Sequence, residues 1–392
     1  MSVQRMAWVY ATTGMYQLMR VRVRVLTTEL RSLPYLLLMA FYFFLPQPLH
    51  AQPADPTHSS FHHEALVVDL HVDPLLWNEA LWQERKVRRR AGMVDEPKMR
   101  RGGLDVAVLG LVSQGLPLIG GWKPFTWWRG YPAVARRSPW ASLEYQVEQV
   151  KTWVHHPGAK VQLVYSAAEL DQARARGQAA LMLGVEGLRG LEGRLERIQQ
   201  LKQWGVLYAG LVHLSANRLG GSSFPLAGTG GLTPWGKQVI QALEAEGIWI
   251  DLAHLSRQAF WETLALSRGP VICSHTGVAG VTPHWRNLDD LQLRAIAERG
   301  GLVGILAAPQ YLGGRGLERV VAHMLHAVRV MGAEHVALGS DLDGFVVAPR
   351  ELPDISQLPR LTQALLEAGL TPAQVKGILG GNFERLLRQT RP

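Results

Sequence analysis

The chain has one cysteine in 392 residues, Cys273, so no intrachain disulfide can form. A Cys-rich zinc module and a disulfide-stapled scaffold are both excluded. No internal repeat or low-complexity tract interrupts it. The apolar run at residues 33–45 (LPYLLLMAFYFFL) has 13 residues, short of the about 20 that a permanent membrane-spanning helix needs. The net charge is +9, but no nucleic-acid pattern accompanies it. The basic run Arg85–Arg90 (RKVRRR), continued by Lys98, Arg100 and Arg101, lacks an aromatic-studded β-surface or a recognition helix. It reads as a solvated loop.

What is present describes a globular protein with an ample core: 47% hydrophobic and 19% charged residues. Length alone favours two or three domains, but one α/β barrel with insertions also reaches this size. Residues 1–51 carry five arginines against Glu29 alone, a net +4 that leaves +5 for the rest. With the 13-residue apolar run, Pro46, Pro48 and Ala51, this segment resembles a signal peptide cut after Ala51, with translation starting at Met1, Met6, Met15 or Met19. An uncleaved anchor is the alternative. No cysteine follows the run, which excludes a bacterial-type lipid attachment there. Export without disulfides points to a periplasmic or extracytoplasmic bacterial location. Residues 52–392 then form the working domain.

Eight apolar, strand-like runs follow: 65–73, 105–113, 179–187, 206–214, 247–255, 270–276, 302–308 and 335–343. Amphipathic stretches separate them, among them 142–156, 193–203, 234–246, 256–267, 289–299 and 316–331, and 359–369 and 372–389 read as closing helices. Such alternation means βα units and a parallel sheet. Eight units predict a closed (β/α)8 barrel, with an open doubly wound sheet as the alternative. The connection 114–141, with Trp122, Trp127, Trp128 and Trp140, is expected to be a loop over the mouth or a packing flap.

The first run, ALVVDLHVD, ends in His71 and Asp73, two apart and so on one side of the strand. An imidazole and a carboxylate converging there suit a divalent transition metal. The pattern recurs: Glu186 closes the third run, His213 the fourth, His254 the fifth, His275 the sixth, and Asp341 with Asp343 the eighth. All strand C-termini of a parallel barrel open onto one face. Any one of these residues alone would be structural. Seven at six strand ends, leaving Asp343 aside, are best accommodated around cations, because an unpartnered buried carboxylate or imidazole is costly. The remaining histidines are given no role, with His62 and His63 nearest the first strand. Cys273 is expected to be a small buried hydrophobe.

Several ordered motifs resemble the membrane (renal) dipeptidases, peptidase family M19: VVDLHVD at 67–73, MLGVEG at 182–187, LVHLSAN at 211–217, GLTPWGKQVI at 231–240, IWIDLAHLS at 248–256, PVICSHTGVAGVTPHWRNLDD at 270–290, LGSDLDG at 338–344 and ILGGNFERLL at 378–387. The resemblance implies a (β/α)8 barrel of the amidohydrolase kind with two zinc ions. His71 and Asp73 would bind one ion, His254 and His275 the other, and Glu186 would bridge them. His213 would contact the scissile carbonyl and the developing oxyanion, and Arg286 would hold the substrate's terminal carboxylate. Asn217 is placed with them among the substrate-binding residues. Asp341 would shuttle the proton, with Asp343 as the alternative. The residue before His213 is Val where many members have Thr, and segment 85–101 is more basic than the family leads one to expect. Neither departure touches a ligand.

Zinc-bound water has its pKa lowered to about 7, so a water bridging two ions is available as hydroxide at neutral pH. Cations and His213 would stabilise the oxyanion, Asp341 would protonate the leaving amine, and the guanidinium would grip a carboxylate. The expected activity is a zinc-dependent dipeptidase, including dipeptides with a C-terminal D-residue, with no nucleic-acid partner and a homodimer as the family's assembly. The alternatives are hydrolysis of a lactone, phosphoester or N-acyl amino acid in the same site, or an envelope-binding protein using the basic run. For Arg286 the plain alternative is an ion pair with Asp289 or Asp290.

Overall fold

The computed structural model describes residues 56–88, 90–113, 122–226 and 228–392. The expected signal peptide or anchor of residues 1–51 lies outside them. Among the described residues no helix is long and apolar enough to cross a membrane.

The described residues form nine strands: β1 (Val68–Val72), β2 (Val106–Val112), β3 (Val161–Leu163), β4 (Ala179–Glu186), β5 (Val206–Gly210), β6 (Trp249–Asp251), β7 (Val271–Thr276), β8 (Leu302–Ile305) and β9 (Val336–Leu338). Eight of them close a ring of parallel pairings in the order β1, β2, β4, β5, β6, β7, β8, β9 and back to β1. This is the (β/α)8 barrel, and the open sheet is ruled out by the β2–β4 pairing, seven residues in register from Val106–Ala180 to Val112–Glu186. The eight apolar runs are the eight barrel strands. Strands covered on both faces carry no polar alternation, which is why they read as continuous apolar runs. β3 is an extra strand. It pairs with the start of β4, Ala179–Leu181, ahead of the stretch that β5 joins.

The helices cover the ring with one apolar face each. In the helix Leu317–Met331, residues Leu317, Val320, Val321, Met324, Ala327 and Met331 are buried, the 3–4 spacing of a single stripe. Several helix starts are fixed by side-chain caps, as where Asp289 and Gln292 form a reciprocal capping box for Asp290–Glu298.

The basic run departs from the expected solvated loop. Arg85 and Lys98 are buried: Arg85 bonds Asp343 and Glu79, and Lys98 pairs with Asp95. A buried cation is tolerable only beside a matching anion; Glu79 and Asp95 are local, and Asp343 comes from the far end of the chain. Segment 122–131 lies against the residues after β1. Trp128 stacks on Phe345, Trp77 packs beside the same ring, and Arg129 lies 3.8 Å over the Trp77 ring.

Candidate metal centre

The C-terminal ends of β1, β4, β5, β6 and β7, with the turn after β9, bring the predicted residues together. Glu186, the last residue of β4, is the centre. Its Oε1 lies 2.8 Å from His254 Nε2, 3.4 Å from His275 Nε2 and 3.9 Å from His71 Nε2, and its Oε2 lies 3.5 Å from His213 Nε2. The His254 and His275 Nε2 atoms are 2.9 Å apart. Three sets have their ligand-type atoms mutually within 4.8 Å: His71, Glu186 and His275; Glu186, His213 and His254; and His71, Asp73 and Asp341.

Local backbone explains the convergence. The turn after β9 is zipped to β1: Asp341 N donates to His71 O, Asp73 N to Leu342 O, and Ser340 N to Asp69 Oδ1. His254, Asp341 and Asp343 adopt positive φ values of 64°, 62° and 68°. Left-handed backbone at non-glycine residues is strained and concentrates at functional sites. Space is reserved as well. A Cβ at Gly110 of β2, or at Gly344, would collide with the Asp73 or Asp341 carboxylate.

The donor set fits divalent cations. His71 Nε2 and Asp73 Oδ1 are buried, make no hydrogen bond, and lie 3.4 Å apart. Tetrahedral zinc, with metal–nitrogen distances of about 2.0 Å, sets its ligand atoms roughly 3.3 Å apart, matching the spacing of these imidazoles and carboxylates. Burial, then Asp73, raises the Glu186 carboxyl well above its usual range, and burial, then Asp73, does the same to Asp341. Burial alone would lower His71, but Asp73 and then Glu186 and Asp341 outweigh it and raise it to about 10. Three carboxylates this close repel one another, and a cation between them removes that cost.

The substrate-side residues divide. Arg286 is buried and lines a cavity of ≈ 700 Å³ that reaches His254 and is also walled by Ser223, Trp261 and Trp285. Its Nη2 donates to His275 O at 2.7 Å and lies 3.2 Å from His254 Nε2. The ion pair considered for it is absent: Asp289 pairs with Arg257 and Asp290 with His326. Among the described residues no carboxylate lies within salt-bridge distance of Arg286. His213 is held neutral: burial, then Arg286 and His71, lower it to about 3. Asn217 belongs to a different wall. Its Nδ2 donates to Leu211 O and its Oδ1 accepts from Leu219 N, and it lines a separate cavity of ≈ 570 Å³. Asp343 faces away from the cluster, its carboxylate accepting from Met93 N, Val94 N and Arg85. His62 bonds Thr362 and Gly102 O ahead of β1 and takes no part. Cys273 is buried, as expected, and burial pushes its thiol up to about 12.

Two groups of contacts had no sequence signal. Tyr208 Oη lies 2.8 Å from His71 Nδ1, and Ser274 Oγ lies 2.9 Å from His275 Nδ1. Both residues sit inside apolar runs, where Tyr and Ser pass for strand formers.

A family model described as membrane dipeptidase (peptidase family M19) matches residues 57–391. A protein of Klebsiella pneumoniae from the region 5′ of pqqA is 33% identical over 255 residues, 62% of this chain and 94% of that one. Dipeptidase aclJ of Aspergillus oryzae is 27% identical over 391 residues, 91% of this chain and 88% of that one. Among solved structures, an M19 metallopeptidase named dipeptidase AC is similar with a TM-score of 0.73 at 25% identity, over 83% of this chain and 99% of that one. In fold the chain is also similar to a Rhodobacter sphaeroides metallopeptidase solved with a phosphinate mimic of L-Ala-D-Ala, with a TM-score of 0.72 at 24% identity over 83% of this chain and 99% of that one.

Proposed function

The chain belongs to the membrane dipeptidase family, peptidase family M19, and from that premise we propose how its residues share the hydrolysis of a dipeptide. The observation that carries the proposal is the convergence on Glu186, whose two oxygens face four imidazoles from different strand ends. His71 and Asp73 would hold one zinc ion and His254 and His275 a second, with Glu186 a ligand available to both. When bound, the ions supply Lewis-acid polarisation of the scissile carbonyl and the acidity that makes a shared water nucleophilic near neutral pH.

The remaining work belongs to the chain. Arg286, a buried cation without a carboxylate partner, takes the C-terminal carboxylate of the substrate, and so limits substrates to short peptides with that end free. His213, kept neutral, directs an N–H at the carbonyl oxygen as its negative charge grows. Asp341, whose carboxyl holds a proton more readily than usual, delivers one to the leaving amine. Trp261 and Trp285 wall the cavity beside Arg286 and exclude water from the C-terminal side chain.

Dipeptides with a C-terminal D-residue belong in the substrate range we propose, and export directed by residues 1–51 places the enzyme outside the cytoplasm. The test is a panel of L,L- and L,D-dipeptides run beside lactones, phosphoesters and N-acyl amino acids. Preferential cleavage of dipeptides supports the reading. Turnover confined to the esters or lactones contradicts it.

A further inference from the structure

We infer that the Tyr208 and Ser274 hydroxyls are positioning groups that fix the tautomers of His71 and His275, one imidazole in each proposed ion site. The inference rests on the metal reading above and adds two residues to it.

The number of available protons decides each tautomer. A hydroxyl has one hydrogen to donate and lone pairs to accept with. Tyr208 Oη lies 2.8 Å from the Leu70 carbonyl oxygen and 2.8 Å from His71 Nδ1. The carbonyl can only accept, so Tyr208 gives it the hydrogen. The hydroxyl oxygen must then accept from His71, and the imidazole proton is on Nδ1. Ser274 repeats the pattern. Its Oγ donates to Asp251 Oδ2 at 2.6 Å, so at 2.9 Å it accepts from His275 Nδ1. Asp251 is held in turn, its Oδ1 accepting from Ala253 N and Ser274 N. In both histidines the proton is thereby fixed on Nδ1, and Nε2 is the nitrogen that faces Glu186 and would give its lone pair to a bound cation. Were the His71 proton on Nε2 alone, it would face Asp73 Oδ1 at 3.4 Å without a hydrogen bond, and the Leu70 carbonyl and Nδ1 would compete for the one Tyr208 hydrogen.

The rest of the fold protects this arrangement. Tyr208 is fully buried, and its ring occupies a slot that exists because residue 184 of β4 is glycine; a Cβ there would collide with the ring. His254 is different, because its buried Nδ1 has no hydrogen-bond partner. Each ion site therefore has an imidazole whose tautomer is set by a hydroxyl, and His254 completes its site without one.

The test uses Tyr208→Phe and Ser274→Ala in the full chain, each deleting one hydroxyl and little volume. Zinc affinity is measured by chelator competition, and exchange of the imidazole N–H protons is followed by proton NMR of the cobalt-substituted protein. Outer partners of metal-bound histidines typically contribute 10–100-fold in affinity. Each variant is expected to lose about that much at one of the two ions, and to speed the exchange of one imidazole N–H. Thermal unfolding in excess chelator separates this from misfolding, since a folded variant with a wild-type midpoint should still show the loss. Wild-type zinc affinity and unchanged N–H exchange in both folded variants would overturn the inference. A wild-type protein that binds no zinc would instead remove the metal reading on which it rests.

Discussion

Glu186 Oε1 approaches His254 Nε2 to 2.8 Å although the residues come from β4 and the loop after β6, with β5 between them in the ring. The same oxygen is within 4 Å of His275 and His71. A residue in contact with ligands of both proposed ion sites cannot be removed without disturbing both. Glu186→Ala should therefore lose more than one site's share of bound metal. It should lower kcat/KM for dipeptides about a thousandfold, the several kcal/mol attributable to metal-assisted catalysis. Metal analysis after gel filtration checks it; a variant keeping full metal content would contradict the bridging role.

Arg286 is a buried guanidinium facing a cavity whose one lining acid, Asp289, is paired with Arg257 instead. Replacing it with Met removes a charge-assisted hydrogen bond to substrate, worth about 1.5–3 kcal/mol. KM should rise on the order of 10–100-fold with a smaller change in kcat, the signature of lost ground-state binding. The wild type should also discriminate against dipeptide C-terminal amides, and the variant should not. Equal discrimination in both proteins would sink the carboxylate role.

Asp341 and Asp343 look alike in the sequence, and their surroundings separate them. Asp343 is engaged by Arg85 and two backbone N–H groups, so Asp343→Asn should cost about 3–5 kcal/mol of stability by breaking a buried pair. Asp341→Asn retains a residue type that tolerates positive φ. It should leave the unfolding midpoint near wild type while lowering kcat by about 10²–10⁴-fold. Paired unfolding and kinetic measurements decide it, and the reversed pattern would exchange the two roles.

How much of this was legible beforehand follows from what periodicity can carry. The eight barrel strands were visible because strands covered on both faces are unbroken apolar runs, and the ligands because each polar residue interrupts such a run where it ends. β3 (VQL) is only half-buried and carries a polar Gln162 at its middle, so it lacks the apolar run that betrays the equally short β6 and β9. The helices Pro56–Glu64 and Ala167–Ala175 carry weak apolar stripes, and they passed as connections. Arg85 looked solvated because its partner Asp343 is 258 positions away. Tyr208 and Ser274 were invisible for a related reason: a hydroxyl inside an apolar strand has meaning only once the facing imidazole is known. Asn217 illustrates the converse. It stands in a family motif, yet its amide is bonded to the backbone of its own loop.

His62 offers a pH test remote from the ligands. Burial, opposed by the Gly102 carbonyl and helped by His63, lowers its pKa from 6.5 to about 4. The unfolded chain therefore binds the proton first, and stability falls as pH drops from 6.5 toward 4. This one group should remove roughly 2 kcal/mol between pH 7 and 5. His62→Gln should flatten that part of the curve of unfolding midpoint against pH. An unchanged slope would contradict the assignment.

The central claim is that two ions held around Glu186 drive dipeptide hydrolysis. The direct measurement strips the purified protein with chelator, then adds zinc back in steps while bound metal and dipeptidase activity are read on the same samples. Activity should be abolished on stripping and return as binding rises to two ions per chain. Full dipeptidase activity in protein that retains almost no metal would contradict it.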